Sequence, residues 1–238
     1  MTTLTPAPRA IDTDLWVVDD LLPLPLGVRM PIRATIVRCP DGGLWVHSPT
    51  PLSAELVAAV EALGPVQDVV APSRLHDISI GAWGKCFPRA RLWAAPGLQV
   101  RRPEVAFHGV LDGPEIPPWV NDIAPLALAG APALNEVVFF HAASRTLVCT
   151  DLLFNVRKPA TVMTSIVLTL AGTKGRFAMS RAWWRYARDR PALKSSVEQM
   201  LEWDFTRVIP AHGEVYESDG ANGDTRAATR AALEWMLK

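Results

Sequence analysis

Short apolar runs alternate with Gly- and Pro-rich breaks along this chain, and the period within the runs changes from two to nearly four. Leu15–Val18 and Ala34–Cys39 are strand-length runs separated by a Pro-rich loop at Leu22–Pro31, and Asp41–Gly42–Gly43 is a hairpin turn into a strand over Leu44–His47. Helical spacing follows over Ser53–Leu63, where Leu56, Val57, Val60 and Leu63 share a face, and Gly64–Pro65 stops it before a strand at Val66–Val70. Hairpins followed by a β-α-β unit imply a mixed sheet. A short helix around Ile78–Cys86 and a strand at Arg91–Ala94 come next, then a surface loop from Pro96 to Pro118. Leu126–Ala129, Glu136–Phe140 and Thr146–Thr150 read as strands, the last two joined through His141–Arg145.

After Asp151 the pattern turns helical over Ala160–Ala171, Arg176–Arg188 and Pro191–Trp203, before a strand over Thr206–His212 and a last helix over Thr225–Leu237. This order predicts an α/β chain folded as a four-layer α/β/β/α sandwich with two mixed sheets. One domain is expected over 1–238, with a core from about 12 to 216 and a covering helix at about 225–237.

Composition narrows the setting. The formal net charge is zero, so no bulk field favours nucleic acid or an anionic membrane, and neither is expected as a partner. Cys39, Cys86 and Cys149 are far apart and form no C-x-x-C pair, which fits a reducing compartment rather than a disulfide framework. Met1–Pro6 lacks the basic and apolar regions of a signal peptide, and no window approaches the roughly 18 apolar residues that span a bilayer. A cytoplasmic protein acting on a small molecule is the expectation.

Two strand ends carry candidate chemistry. The run Thr146–Thr150 stops at the carboxylate of Asp151, and Arg207–Ala211 stops at His212. A carboxylate at the mouth of a sheet needs hydrogen bonds or a cation. The polar turn Ser73–Arg74–Leu75–His76–Asp77 follows another strand, at the end where open α/β sheets place their sites.

Together these segments resemble the metallo-β-lactamase fold hydrolases, over about Leu15 to Tyr216. Thr150–Asp151 is similar to that family's metal-bridging Gly-Asp pair, and Pro210–Ala211–His212–Gly213 to its Pro-Gly-His-Gly motif. Ser73–Ile78 stands where the family has H-x-H-x-D-H, with Ser73, Leu75 and Ile78 in the histidine positions and only Asp77 retained. Ala131 falls where a further histidine is usual, and His47 ends the strand where an Asp-Thr-Gly turn is common. The pattern resembles a divergent, domain-of-unknown-function subgroup with a reduced centre.

The resemblance implies at most one divalent metal, zinc, iron or manganese, held by Asp151, His212 and either Asp77 or His76, because a zinc hydrolase needs about three protein ligands and an open position. Asp77 is the catalytic candidate, orienting a metal-bound water or taking its proton during hydrolysis of a small ester, thioester or phosphoester. The other reading has no metal. Asp77 and Asp151 then accept backbone amides, His212 donates to one of them, and a non-catalytic cleft binds a ligand or protein partner.

His141, at the far end of its strand from Asp151, and His108, in the Pro-rich loop, are expected outside the site. Ser73 lies too close in sequence to His76 and Asp77 for a converging triad. The segment Arg181–Arg190 reads as a helix docked through one of Trp183 and Trp184 with its arginines solvated.

Overall fold

The computed structural model describes residues 6–218 and 224–238, so the leader Met1–Thr5 lies outside the described residues. The chain divides into two compact units. One comprises Met1–Asp20 and Ile32–Pro117, the other Leu21–Pro31 and Pro118–Lys238.

Strands β1 (Arg9–Asp12), β2 (Leu15–Leu24), β3 (Val28–Arg38), β4 (Leu44–His47), β5 (Val66–Ala71), β6 (Arg91–Ala94) and β7 (Gly109–Val110) lie side by side in chain order, all in the first unit except Leu21–Leu24 of β2 and Val28–Pro31 of β3. Pairing is antiparallel for β1–β2 and β3–β4 and parallel from β4 through β7, so the sheet is mixed. The crossover helix α1 (Ala54–Glu61) begins at Ser53, whose hydroxyl accepts the Leu56 amide, and it buries Leu56 and Val60. Helices α2 (Ile80–Cys86) and α3 (Leu98–Arg101) follow. The core gathers Ile36, Val46, Leu56, Ile80, Trp83 and Leu98, and the Trp83 indole donates to the Thr50 carbonyl at 2.8 Å. One buried carboxylate here is structural. Asp68 on β5 takes two bonds from Arg91 on β6 and one from the Trp93 indole, all between 2.7 and 2.9 Å.

The Pro-rich stretch expected as a loop is a hairpin. β2 runs on to Leu24, a tight turn covers Pro25–Gly27, and β3 starts at Val28. Proline fixes φ near −65° and lacks only a donor, so it suits extended backbone wherever no ladder partner needs its N–H. Leu26 and Gly27, at φ of 60° and 75°, reverse the chain. The loop expected over 96–118 likewise contains α3 and β7.

The second unit has a five-stranded sheet in the order β12-β11-β10-β9-β8, with β8 (Ile123–Ala127), β9 (Val137–His141), β10 (Thr146–Asn155), β11 (Arg207–Gly213) and β12 (Tyr216–Glu217). β10 and β11 are parallel and the other pairs antiparallel. Helices α4 (Val162–Ala171), α5 (Trp183–Tyr186), α6 (Arg190–Met200), α7 (Thr225–Ala232) and α8 (Glu234–Leu237) complete it. Leu147, Leu153, Trp183, Val197, Met200 and Leu233 belong to its core.

Two helices differ from expectation. Only Trp183–Tyr186 is helical within Arg176–Arg188, because Ala178 exchanges backbone hydrogen bonds with Phe154 and Ser180 Oγ accepts the Ala182 amide. The last helix breaks at Leu233 into two. Two mixed sheets with helices bear out the α/β class, and no helix among the described residues is long and apolar enough to cross a membrane.

Candidate metal centre

Strand β10 does not end at Asp151, as its sequence suggests; it leaves its partner there. Pairing with β11 is regular from Thr146↔Arg207 to Cys149↔Pro210 and resumes at Phe154↔His212, so Thr150–Leu153 stands opposite Ala211 alone. Surplus residues in a ladder must bulge, and a bulge re-aims a side chain. Two anchors hold this one: Glu136 Oε1 accepts the Thr150 amide at 2.7 Å, and the Trp183 indole donates to the Asp151 carbonyl at 2.8 Å. Where the strands meet again they come too close for any side chain at position 213. A Cβ on Gly213, whose φ is +98°, would lie 2.3 Å from the Asn155 carbonyl.

The excursion and the strand end bring Asp151 and His212 together. Asp151 Oδ1 lies 3.3 Å from His212 Nε2, with both side chains largely out of water. The Phe154 ring stacks on the imidazole at 4.5 Å, and His212 Nδ1 stands 2.7 Å from the Pro31 carbonyl. A carbonyl only accepts, so Nδ1 carries the proton and donates to Pro31. The neutral ring then turns the Nε2 lone pair toward a carboxylate oxygen, and two acceptors at that distance require a cation between them, either a second proton on the ring or a metal. Two ligands each roughly 2.1 Å from a tetrahedral zinc stand about 3.4 Å apart. The pair fits a metal in both spacing and donor type, and the Pro31 bond is the usual orientation device of a ligating histidine.

Beneath this pair sits Glu136, a residue the sequence reading passed over as the start of a strand. It is fully buried. Burial first, and the charge of Asp151 second, push its pKa up to about 8 against the opposing hydrogen bonds from Thr150 and Leu152. The neighbouring Cys149 thiol is raised well above its ordinary value, chiefly by burial and then by Glu136. The only signal in the sequence is an acid set directly against Val137–Val138–Phe139–Phe140.

In the first unit, His76 and Asp77 turn to different partners, as adjacent side chains in an irregular loop do. His76 Nδ1 shares a 2.8 Å hydrogen bond with Ser48 Oγ, while the Asp77 carboxylate and carbonyl both accept from Arg102 Nη1 at 3.0 and 2.8 Å. Ser48 was not singled out from the sequence. It occupies the turn after β4 at φ 51° and is buried. His47 before it is stacked on Trp45, and burial, then the charge of His76, hold its pKa well below the usual value.

The residues standing where the sequence resemblance expects histidines lie as follows. Ser73 Oγ accepts the amides of Leu75 and His76, Leu75 and Ile78 are exposed, and Ala131 is buried in the core. His108 packs edge-on to Trp93, and His141 bonds Ser144 at 2.7 Å.

Comparison with solved structures shows a metallo-β-lactamase fold. A metallo-β-lactamase from Pontibacter korlensis is similar at 11% identity with a TM-score of 0.65, covering 98% of this chain and 100% of that one. FIM-1 of Pseudomonas aeruginosa, solved in a mono-zinc form, is similar at 14% identity and TM-score 0.62, over 98% and 94%. The metal-soaked Flv1 flavodiiron core from Synechocystis sp. PCC6803 gives 10% identity and 0.65, over 97% of this chain and 60% of that one. The chain belongs to the family described as Domain of unknown function (DUF4336), whose model matches residues 12–174. No curated protein matches the sequence.

Proposed function

We propose that this chain is a metallo-hydrolase-like protein with one divalent metal, zinc, iron or manganese, held by Asp151, His212 and His76, and that it hydrolyses a small ester, thioester or phosphoester. The observation that carries this reading is the approach of Asp151 Oδ1 to His212 Nε2 at 3.3 Å while His212 Nδ1 is engaged by Pro31. The Ser48 bond to Nδ1 of His76 leaves Nε2 as its donor atom and fixes the ring. A bound metal supplies a Lewis acid that lowers the pKa of a water. Asp77, held in place by Arg102, would be the group to orient such a water or accept its proton.

Zinc titration of the wild type beside single variants tests this. Asp151→Ala and His212→Ala should abolish uptake, and His76→Ala should weaken it by about 10- to 100-fold or more. Asp77→Asn should bind metal normally and lose hydrolysis of aryl ester, thioester and phosphoester probes. A wild type that takes up no metal from any of the three ions would sink the proposal and leave a proton-bridged Asp151–His212 pair in a non-catalytic, ligand-binding protein.

A further inference from the structure

The zero net charge of the whole chain conceals a local asymmetry. Leu152–Arg188 carries seven Lys or Arg and no Asp or Glu, and Leu21–Pro31 adds Arg29 and no acid. The same two stretches hold most of the large apolar side chains that face solvent: Leu21, Leu24 and Leu26 on the hairpin, Val162, Ile166, Val167 and Leu170 on α4, and Trp184. They are stitched into one face of the second unit. The Thr161 hydroxyl donates to the Gly27 carbonyl at 3.0 Å, and Thr164 Oγ1 bridges the amide and carbonyl of Arg29 at 2.8 and 3.1 Å.

Helix α4 is inverted relative to an ordinary surface helix. It buries Thr164 and Leu168, yet Val162 and Leu170, eight residues apart on one stripe, are 77% and 71% exposed. No charged residue lies within it. Cations gather at its ends instead. Arg176 Nε donates to the Gly172 carbonyl and the Arg181 amide to the Ala171 carbonyl, which places both residues at the negative end of the helix. Arg157 reaches the Gly175 carbonyl, Lys158 precedes the N-cap, and the Arg181 guanidinium lies over the Trp184 ring. The acids that bound Leu152–Arg188 are engaged, Asp151 with His212 and Asp189 in capping α6, and Asp19, before the hairpin, pairs with Arg9 and Arg33.

We propose that this face docks on an anionic lipid surface, the hairpin tip and the α4 stripe entering the headgroup region and the surrounding Lys and Arg meeting lipid phosphates. Exposed aliphatic side chains rimmed by cations are what an interfacial helix presents. A second copy of the chain would set like charges against each other. Single-stranded nucleic acid calls for aromatic stacking platforms, and this face is mainly aliphatic. The docking is independent of any metal.

Sedimentation of the full chain with vesicles of phosphatidylcholine, alone and mixed with phosphatidylglycerol, tests it. Binding is expected to the anionic vesicles only and to fall as salt is raised. Leu26→Ser with Leu170→Ser, both at exposed positions, should lower the partition by about tenfold or more. Lys158→Gln and Lys174→Gln should each lower it by about fivefold, the equivalent of about 1 kcal/mol per cation near such a surface. A wild type that ignores anionic vesicles, or a double serine variant that binds them undiminished while melting like the wild type, overturns the proposal. So does capture of an acidic amphipathic peptide without any vesicle binding, which would assign the face to a protein partner.

Discussion

Glu136 shows how much one buried group shapes this centre. Its raised pKa gives stability a pH dependence whose sign follows from linkage. The unfolded chain releases this proton near the ordinary glutamate value of 4.5 and the folded chain holds it to about 8, so the contribution is complete below the lower value and lost as pH climbs to the upper one. For metal-free protein, unfolding free energy should therefore fall between those values with a slope approaching about 1.4 kcal/mol per pH unit. Glu136→Gln keeps the acceptor for the Thr150 amide and has no proton to lose. Urea midpoints should match the wild type near pH 4 and exceed it at pH 8.5; equal midpoints at both would show that Glu136 stays charged in the fold. Nothing local in the sequence shows this, because burial of a strand-opening acid is decided by residues brought over it from far along the chain. Asp151 and His212 drew notice in the sequence because each reads as the end of an apolar run; His212 does lie near the end of β11, whereas β10 continues past Asp151 to Asn155.

Among the elements, the strands were read well and the stretches between them less so. Leu44–His47, Val66–Val70 and Arg91–Ala94 carried their own signal in branched and aromatic side chains. The Pro-rich hairpin did not, since a proline-rich segment looks alike in a loop and in the extended arms of a hairpin. The segment 176–188 has helical periodicity but is bridged to Phe154 at Ala178, where that pairing wins over local propensity. The paired tryptophans were expected to diverge, and they do. Trp183 is buried with its indole on the Asp151 carbonyl, and Trp184 is half exposed beneath Arg181. Trp183→Ala should cost about 3–5 kcal/mol in chemical denaturation, whereas Trp184→Ala, Arg185→Ala and Arg188→Ala should each stay within about 1 kcal/mol. Zinc uptake should separate the two tryptophans as well, because freeing the Asp151 carbonyl loosens the excursion that aims its carboxylate. A Trp183→Ala protein as stable as the wild type would mean the excursion is held by Glu136 alone.

For the whole molecule, the supply of ligands sets a ceiling on metal content. The chain has five histidines, and the structure gives three of them other occupations: His47 is stacked on Trp45, His108 is against Trp93 and His141 is bonded to Ser144. Asp68 is likewise committed to Arg91 and Trp93, and the sequence resemblance puts Ser73, Leu75 and Ala131 where a second metal would call for histidines. The expected content is therefore no more than one transition metal per chain, measured by elemental analysis after purification without added metal. Because a metal that binds only the folded chain stabilises it by mass action, saturating zinc at about a hundredfold over its dissociation constant should raise the unfolding free energy by about 2.7 kcal/mol. The increment should vanish in Asp151→Ala and in His212→Ala. Two tightly held metals per chain, or an increment that survives loss of Asp151, would mean that ligands outside this set are recruited and that the reduced centre is the wrong description.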